Sequence, residues 1–387
     1  MKIRFLLTSV LLFALMAFST TADTALITDE DYFERLCEMQ MDAVLANQAL
    51  MDSFEFDGNT IVYPDDFGGD YIGDDFKLYV LLTEDADIAR YESILDSFGD
   101  VVCYKTVSNS FNCLMDTAEG FATQIPKECF HKCGVDVKKN MAFVGVYSSY
   151  KDYVIEKFDL EYRSDADEYV YEDIVIVDVK CRSHSCESSY MAGTSISITS
   201  GGTLGGSGIY QTNITPHTAL ITAGHCATSV GDNAYISGTY VGSTSLVRYQ
   251  NNGYGDYAII NAANGVQSDN RIIAGGGNIV YLSGYINNPP VGMYLGKFGK
   301  TSLYAYCQVT AVGIDTQDDT GTVTKGMTET IIISGDSSGG DSGGPYWSTT
   351  NYCGVHSGSA EDEDYNHFTY FTPNYYLRNN GFYVDCD

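Results

Sequence analysis

Apolar positions keep one rhythm up to about residue 187 and another beyond it. In the first stretch "FKLYVLL" (76–82) reads as a strand, and "ADIARYESILDSFG" (86–99) has helical spacing with Ile88, Tyr91, Ile94 and Leu95 on one side. "DVVCYKTV" (100–107) returns to a strand. "MAFVGVY" (141–147), "YKDYVIEKF" (150–158) and "DIVIVDVK" (173–180) then repeat strand, helix, strand. The pattern predicts an α+β unit. After Glu187 helical periodicity largely disappears. Short β-rich runs alternate with Gly, Asn, Ser and Thr: "SGIYQTN", "TALITAGH", "NAYISGTYVG", "DYAIINA", "NIVYLSGYI", "CQVTAVGI", "ETIIIS" and "HFTYFTP". Many short strands at close spacing predict an all-β sandwich or barrel. The two textures meet at "RSHSCESSYMAGTS" (182–195), a small, polar stretch suited to cleavage.

The extreme N-terminus fits neither texture. Lys2 and Arg4 precede an apolar run from Phe5 to Phe18, followed by small residues around Thr20–Ala22. This is the form of a secretory leader, with a core too short for a membrane span. The chain is therefore expected to divide into a leader at 1–22, an α+β segment at 23–187 and a β domain at 188–387. An exported product without a membrane anchor is the expectation. The net charge of −30 argues against nucleic acid or anionic lipid as partner. Thirty-six of the 51 acidic residues precede residue 188, so most of that charge sits on the α+β segment.

Export permits disulfides, and the odd total of 11 cysteines leaves at least one thiol unpaired within the chain. "CFHKC" (129–133) and "CRSHSC" (181–186) could together supply metal ligands, but exported cysteines usually pair with each other. Neither a metal nor a cofactor is expected in the β domain. The sequon Asn213-Ile214-Thr215 is followed by Pro216 and is expected to stay unused.

Three motifs fall within the β domain. "TAGHC" (222–226) presents His225 at the end of an apolar run, "GYGDYAII" (253–260) presents Asp256 before another, and "GDSGGP" (340–345) presents Ser342 in a glycine-dense turn. Acyl transfer needs a hydroxyl nucleophile, an imidazole to take its proton and a carboxylate to fix the imidazole tautomer. It also needs backbone N–H donors aimed at the oxyanion, which glycines let the chain supply at close range. Each motif alone is modest evidence, but the order His, Asp, Ser around an intact GDSGGP is hard to reach by chance.

On these motifs residues 190–387 resemble the chymotrypsin-like serine proteases, closest to the secreted bacterial streptogrisin-like and glutamyl-endopeptidase-like members. The resemblance implies two packed six-stranded antiparallel β-barrels with the active site between them, preceded by an α+β prosegment that assists folding. It makes His225 the general base, Asp256 its orienter, Ser342 the nucleophile, and the amides of Gly340 and Ser342 the oxyanion hole. Ser357 and Gly358 in "GVHSGS" (354–359) would line the cleft where substrate backbone pairs, and Gly339 would join the pocket wall. The expected partners are polypeptide substrates and the prosegment, on a monomer.

Two departures bear on the chemistry. The cysteine beside the catalytic His usually pairs with one upstream, but "GGTLGG" (201–206) has none, so Cys226 is free or pairs elsewhere. Cys307 and Cys353 lie on segments that could be neighbours and could pair. No Ile-Val-Gly-Gly activation site is present, so Asp341 is not expected to await a new N-terminal ammonium.

The pocket reads two ways. Asp336 lies six residues before Ser342, where trypsin-like members carry the pocket-floor carboxylate that selects Arg or Lys. His356, with hydroxyls placed like Ser337 and Ser359, instead matches members that cleave after Glu, since a protonated imidazole between two hydroxyls can hold a carboxylate. Asp336 and His356 could also neutralise each other. The balance leans toward acidic substrates. From another class, an exported β-rich binding protein with a decayed protease fold competes; three intact triad members weigh against it. A lipase or esterase would need Gly-x-Ser-x-Gly within an α/β alternation, which the C-terminal half lacks.

Overall fold

The computed structural model describes residues 29–57, 60–164, 168–172, 174–181, 185–186, 195–211, 216–274 and 278–386. The leader, the boundary residues Arg182, Glu187 and Ser188, and the sequon lie outside them.

The N-terminal region is α+β. Two helices, Asp29–Met39 and Met41–Asp52, precede a three-stranded sheet of Phe67–Ile72, Leu78–Thr83 and Val102–Val107. The last two strands are parallel, with the helix Ile88–Leu95 as their crossover. The same unit recurs as Met141–Tyr147, the helix Lys151–Phe158 and a parallel Val175–Cys181. A further helix, Phe111–Ala122, was not read from the sequence. It starts at Ser110, whose hydroxyl accepts from the Cys113 amide, and it buries Phe111, Leu114, Ala118 and Phe121 at helical spacing.

The C-terminal region is almost entirely β, as expected. One sheet runs, in spatial order, Gly201–Thr203, Ser195–Ser197, Asn233–Ile236, Thr239–Arg248, Tyr257–Ala262, His217–Thr222, Gly206–Tyr210 and Phe382–Val384. The second group is a ring of Tyr294–Gly299, Leu303–Gln317, Val323–Ser334, His367–Pro373, Asn351–Glu361 and Pro345–Ser348. Every neighbour in it is antiparallel, and the last strand pairs with the first, so the pairing closes on itself. The first group is thus an open run of eight strands and the second a closed ring of six.

The two regions share backbone pairing. Leu303–Gln317 and Val323–Ser334 form a long hairpin, near whose tip Asp315 and Thr316 pair with Cys133 and Lys132 of the strand Phe130–Asp136. Lys132 Nζ donates to Glu329 Oε2 at 2.6 Å, both groups buried. The Gln40 side chain acts like a strand edge toward Tyr294, donating to its carbonyl at 2.8 Å and accepting from its amide at 2.7 Å. The Ile72 amide donates to Val291 O at 2.7 Å.

Among the described residues no helix is long and apolar enough to cross a membrane. Cys307 and Cys353, expected as a possible pair, are both buried free thiols: each lies inside the sheet packing without reaching the other. In the metal alternative, Cys129 and Cys133 are likewise free and His131 Nε2 is engaged with Tyr370 OH at 3.2 Å; His184, in the other half of that set, lies outside the described residues.

Between the two regions Asp70 faces a cavity of about 290 Å³ lined also by Asn47, Tyr63, Phe111 and Tyr375. Burial pushes its carboxyl up to about 7, although the Asn47 amide donates to it at 2.5 Å. The folded chain thus keeps a proton that the unfolded chain, with an ordinary carboxylate, loses near pH 4. Stability is therefore expected to fall as pH rises from about 4 to about 7, by roughly 4 kcal/mol for a shift of this size. Asp70→Asn should flatten that fall in urea unfolding of the full-length Ser342→Ala chain at pH 4.5 and pH 8. Unchanged pH dependence would remove Asp70 as its source.

Candidate active site

His225 lies on the short 3-10 turn Gly224–Cys226 that ends the strand His217–Thr222, and Asp256 immediately precedes the strand Tyr257–Ala262. Those two strands are antiparallel neighbours, with Thr222 opposite Ala258, which brings the two side chains together. Asp256 is fully buried. Its Oδ2 accepts from His225 Nδ1 at 2.6 Å and its Oδ1 from the His225 amide at 2.9 Å. The Ser357 hydroxyl donates to Oδ2 at 2.6 Å, and Thr372 Oγ1 accepts from the Asp256 amide at 2.8 Å. A buried carboxylate needs such donors. Burial alone would raise the Asp256 carboxyl and lower the His225 imidazole, but the neighbouring charges and hydrogen bonds together outweigh it. Asp256 is held below the ordinary carboxylate range and His225 well above the ordinary imidazole value.

Ser342 sits in the tight turn after Gly340, between the ring strands Val323–Ser334 and Pro345–Ser348. Gly340 and Gly343 have φ of +110° and +92°, a region side chains disfavour. A Cβ on Gly343 would collide with Thr203 O. Thr203, from the other sheet, clamps the turn: its hydroxyl donates to Gly340 O and its amide to Ser342 O, both at 2.6 Å. The Ser342 hydroxyl donates to Ser357 O at 3.2 Å. Ser357 thus touches both ends of the expected triad, its hydroxyl on Asp256 and its carbonyl on Ser342.

Asp341 needs no new N-terminus, as its partner is Lys297. The ammonium donates to Asp341 Oδ2 at 2.7 Å with both side chains fully buried. The amides of Thr301 and Ser338 donate to the same carboxylate at 2.9 and 3.3 Å, and the Ser302 hydroxyl adds another bond. Sequence reasoning missed Lys297, Thr203 and Thr372, which belong to no motif. The absence of an activation tetrapeptide was the one signal that Asp341 required an internal cation.

The two pocket candidates separate in space. His356 is fully buried, with Nε2 3.3 Å from Ser337 Oγ and Nδ1 3.2 Å from Tyr346 OH. Asp336 is exposed, 60% by side chain, and pairs with His367 Nδ1 at 3.1 Å. It is therefore neither an unpaired pocket floor nor the counter-charge of His356. The turn at Gly335, with φ of +92°, leads it out to the surface. Gly339 is exposed at the rim, and its carbonyl accepts from Thr301 Oγ1 at 2.6 Å. Ser359 and Gly358 are occupied by the chain itself: the short strand Ser185–Cys186 runs antiparallel to them, Ser185 opposite Ser359 and Cys186 opposite Gly358. Cys226 is a buried free thiol, and a Cβ on Gly202 would lie 2.5 Å from its Sγ. The position facing Cys226 is thus a glycine.

Residues 32–102 match a family described as a Pro-like N-terminal domain. No curated protein matches the chain. Among solved structures it is similar to Cellulomonas bogoriensis chymotrypsin, with 22% identity and a TM-score of 0.41 over 51% of this chain and 100% of that one. It is similar also to Thermobifida fusca protease A, with 21% identity and a TM-score of 0.42 over 51% and 98%. A third is a glutamic-acid-specific serine protease described as using a histidine triad in substrate binding, with 24% identity and a TM-score of 0.43 over 50% and 100%. These likenesses lie in bacterial chymotrypsin-like serine proteases and cover about half of the chain.

Proposed function

We propose that the chain is the precursor of an exported serine endopeptidase, with residues 23–187 as a removable prosegment and 188–387 as the protease. The carrying observation is the buried Asp256–His225 pair joined to Ser342 through Ser357. Ser342 Oγ attacks the scissile carbonyl and His225 Nε2 takes its proton. Asp256 holds Nδ1–H and stabilises the imidazolium that forms. The amides of Gly340 and Ser342 receive the oxyanion, and His225 returns the proton to the leaving amine. Water then attacks the acyl-enzyme by the same route. A decayed, non-catalytic fold would have no need of three donors trained on a buried Asp256.

The pocket favours an acidic side chain before the scissile bond. His356 and Ser337 are the buried polar groups on that wall, while Asp336 lies outside it. The chain's own segment adds a second support. The short strand Ser185–Cys186 lies antiparallel to Ser359 and Gly358, and Glu187 is the next residue in the sequence. N-terminal sequencing of the secreted form should then begin at Ser188. His356→Val should remove at least about tenfold of the preference for Glu, as loss of a hydrogen bond to a charged guest requires, while Ser342 still reacts with small acylating agents. Strong cleavage after Arg or Lys with little after Glu, and maturation after Arg182, would overturn the acidic assignment.

A further inference from the structure

The closed ring of six strands encloses polar side chains where an apolar filling would be cheaper. Five of its strands each contribute one buried group: His356, Tyr346, Thr369, Thr330 and Cys307. They form a connected run. His356 Nδ1 lies 3.2 Å from Tyr346 OH, the Tyr346 hydroxyl donates to Thr369 Oγ1 at 2.7 Å, and Thr369 Oγ1 lies 2.5 Å from Thr330 Oγ1. The Cys307 thiol lies beside both threonine hydroxyls. The sixth strand carries Lys297, spent on Asp341. Tyr346 is held by packing as well, its ring stacked on Phe371 at 4.2 Å, so removing its hydroxyl need not move the ring.

The direction of these bonds has a chemical consequence. Tyr346 has one proton and gives it to Thr369, so toward His356 its oxygen can only accept. Nδ1 must then carry a hydrogen. In the neutral ring that leaves Nε2, on the Ser337 side, as a lone pair, and a guest carboxylate cannot bond to a lone pair. Only the imidazolium offers an Nε2–H while keeping its bond to Tyr346. We propose that Tyr346 and Thr369 are positioning residues for His356, holding its Nδ1–H inward so that Nε2 faces the pocket and takes up a proton together with an acidic substrate side chain. This inference rests on the acidic pocket proposed above; the orientation of the ring can be tested without it.

Two readouts separate the layers. In the full-length Ser342→Ala chain labelled with 15N-histidine, the neutral His356 ring should be the Nδ1–H tautomer. Tyr346→Phe should convert a substantial fraction to Nε2–H, and Thr369→Val should do so in part, with Thr369→Ser restoring the original state. In the matured enzyme, Tyr346→Phe should lower the ratio of kcat/KM for Glu over Gln before the scissile bond by about tenfold, the worth of one buried hydrogen bond. The effect should lie in KM, with kcat on the Gln substrate unchanged within about twofold. An unaltered tautomer in both Tyr346→Phe and Thr369→Val overturns the relay. A wild-type enzyme that ignores Glu overturns the pocket assignment instead, whatever the tautomer. Should Tyr346→Phe fail to mature, the Thr369→Val and Thr369→Ser pair gives the same comparison.

Discussion

Ser342→Ala should lower hydrolysis of a chromogenic peptide by at least about 10⁴-fold and leave the precursor uncut, with only the residual catalysis of binding and the oxyanion hole remaining. Ser337→Ala and Ser338→Ala should keep turnover. The three serines of "GDSSGGDSGGP" occupy different places. Ser342 is on the turn that Thr203 clamps, and its hydroxyl bonds to the same Ser357 that holds Asp256. Ser337 faces His356, an imidazole whose far nitrogen meets a tyrosine rather than a carboxylate, so it has no base of the required kind. The Ser338 amide donates to Asp341 and its carbonyl accepts from the Asp341 amide, closing the turn before the nucleophile. The first copy of the phrase thus lies against His356 and Asp341, and the second carries the proposed nucleophile on the clamped turn. Stoichiometric labelling by a serine-directed acylating agent is the check. A Ser342→Ala protein that is still labelled and still turns over would end the assignment.

The parts of the fold legible in the sequence were those with a complete local pattern. "MAFVGVY" and "HFTYFTP" coincide with the strands Met141–Tyr147 and His367–Pro373, the first an apolar run and the second rich in aromatic and β-branched residues. "CQVTAVGI" gave only the middle of Leu303–Gln317. Its distal end is a strand because Asp315 and Thr316 pair with Cys133 and Lys132, far earlier in the chain, which no local window contains. At the site the pairing of His225 with Asp256 was anticipated because each lies in a motif of its own. The choice between Asp336 and His356 was open in the sequence because spacing from Ser342 sets position along the chain but not depth; the partner of Asp336, His367, lies 31 residues further on. Lys297 and Tyr346 carried no signal, since an isolated Lys or Tyr in a β-run gives no hint that a carboxylate or an imidazole will be buried against it.

Residues 188–387 expressed alone should yield little active enzyme, with recovery when residues 23–187 are supplied as a separate chain. All-β folds close distant strand pairs slowly and expose their edges meanwhile. The distant pairs here are those that close the ring, Tyr294–Gly299 with Pro345–Ser348 and Val323–Ser334 with His367–Pro373. The N-terminal region holds the long hairpin between them at several points: main-chain pairing at Asp315 and Thr316, Lys132 on Glu329, and the Gln317 amide donating to Lys127 O and Phe130 O at 3.2 and 3.0 Å. A further contact, Gln40 on Tyr294, secures the neighbouring ring strand. Lys132 makes the idea specific. In the complex Glu329 is buried, so Lys132→Met would leave a buried carboxylate without its cation, at a cost of about 3–5 kcal/mol. Such a cost corresponds to at least about a hundredfold weaker association. The Lys132→Met prosegment should therefore need about a hundredfold higher concentration to recover the same activity, while its own fold, judged by circular dichroism, stays intact. A Glu329→Gln protease domain should be less sensitive to that change, because a neutral amide loses less when the ammonium is removed. Full recovery by the Lys132→Met prosegment at wild-type concentration would show that the ion pair is not part of the template. Normal yield of active enzyme from residues 188–387 alone would refute the template itself.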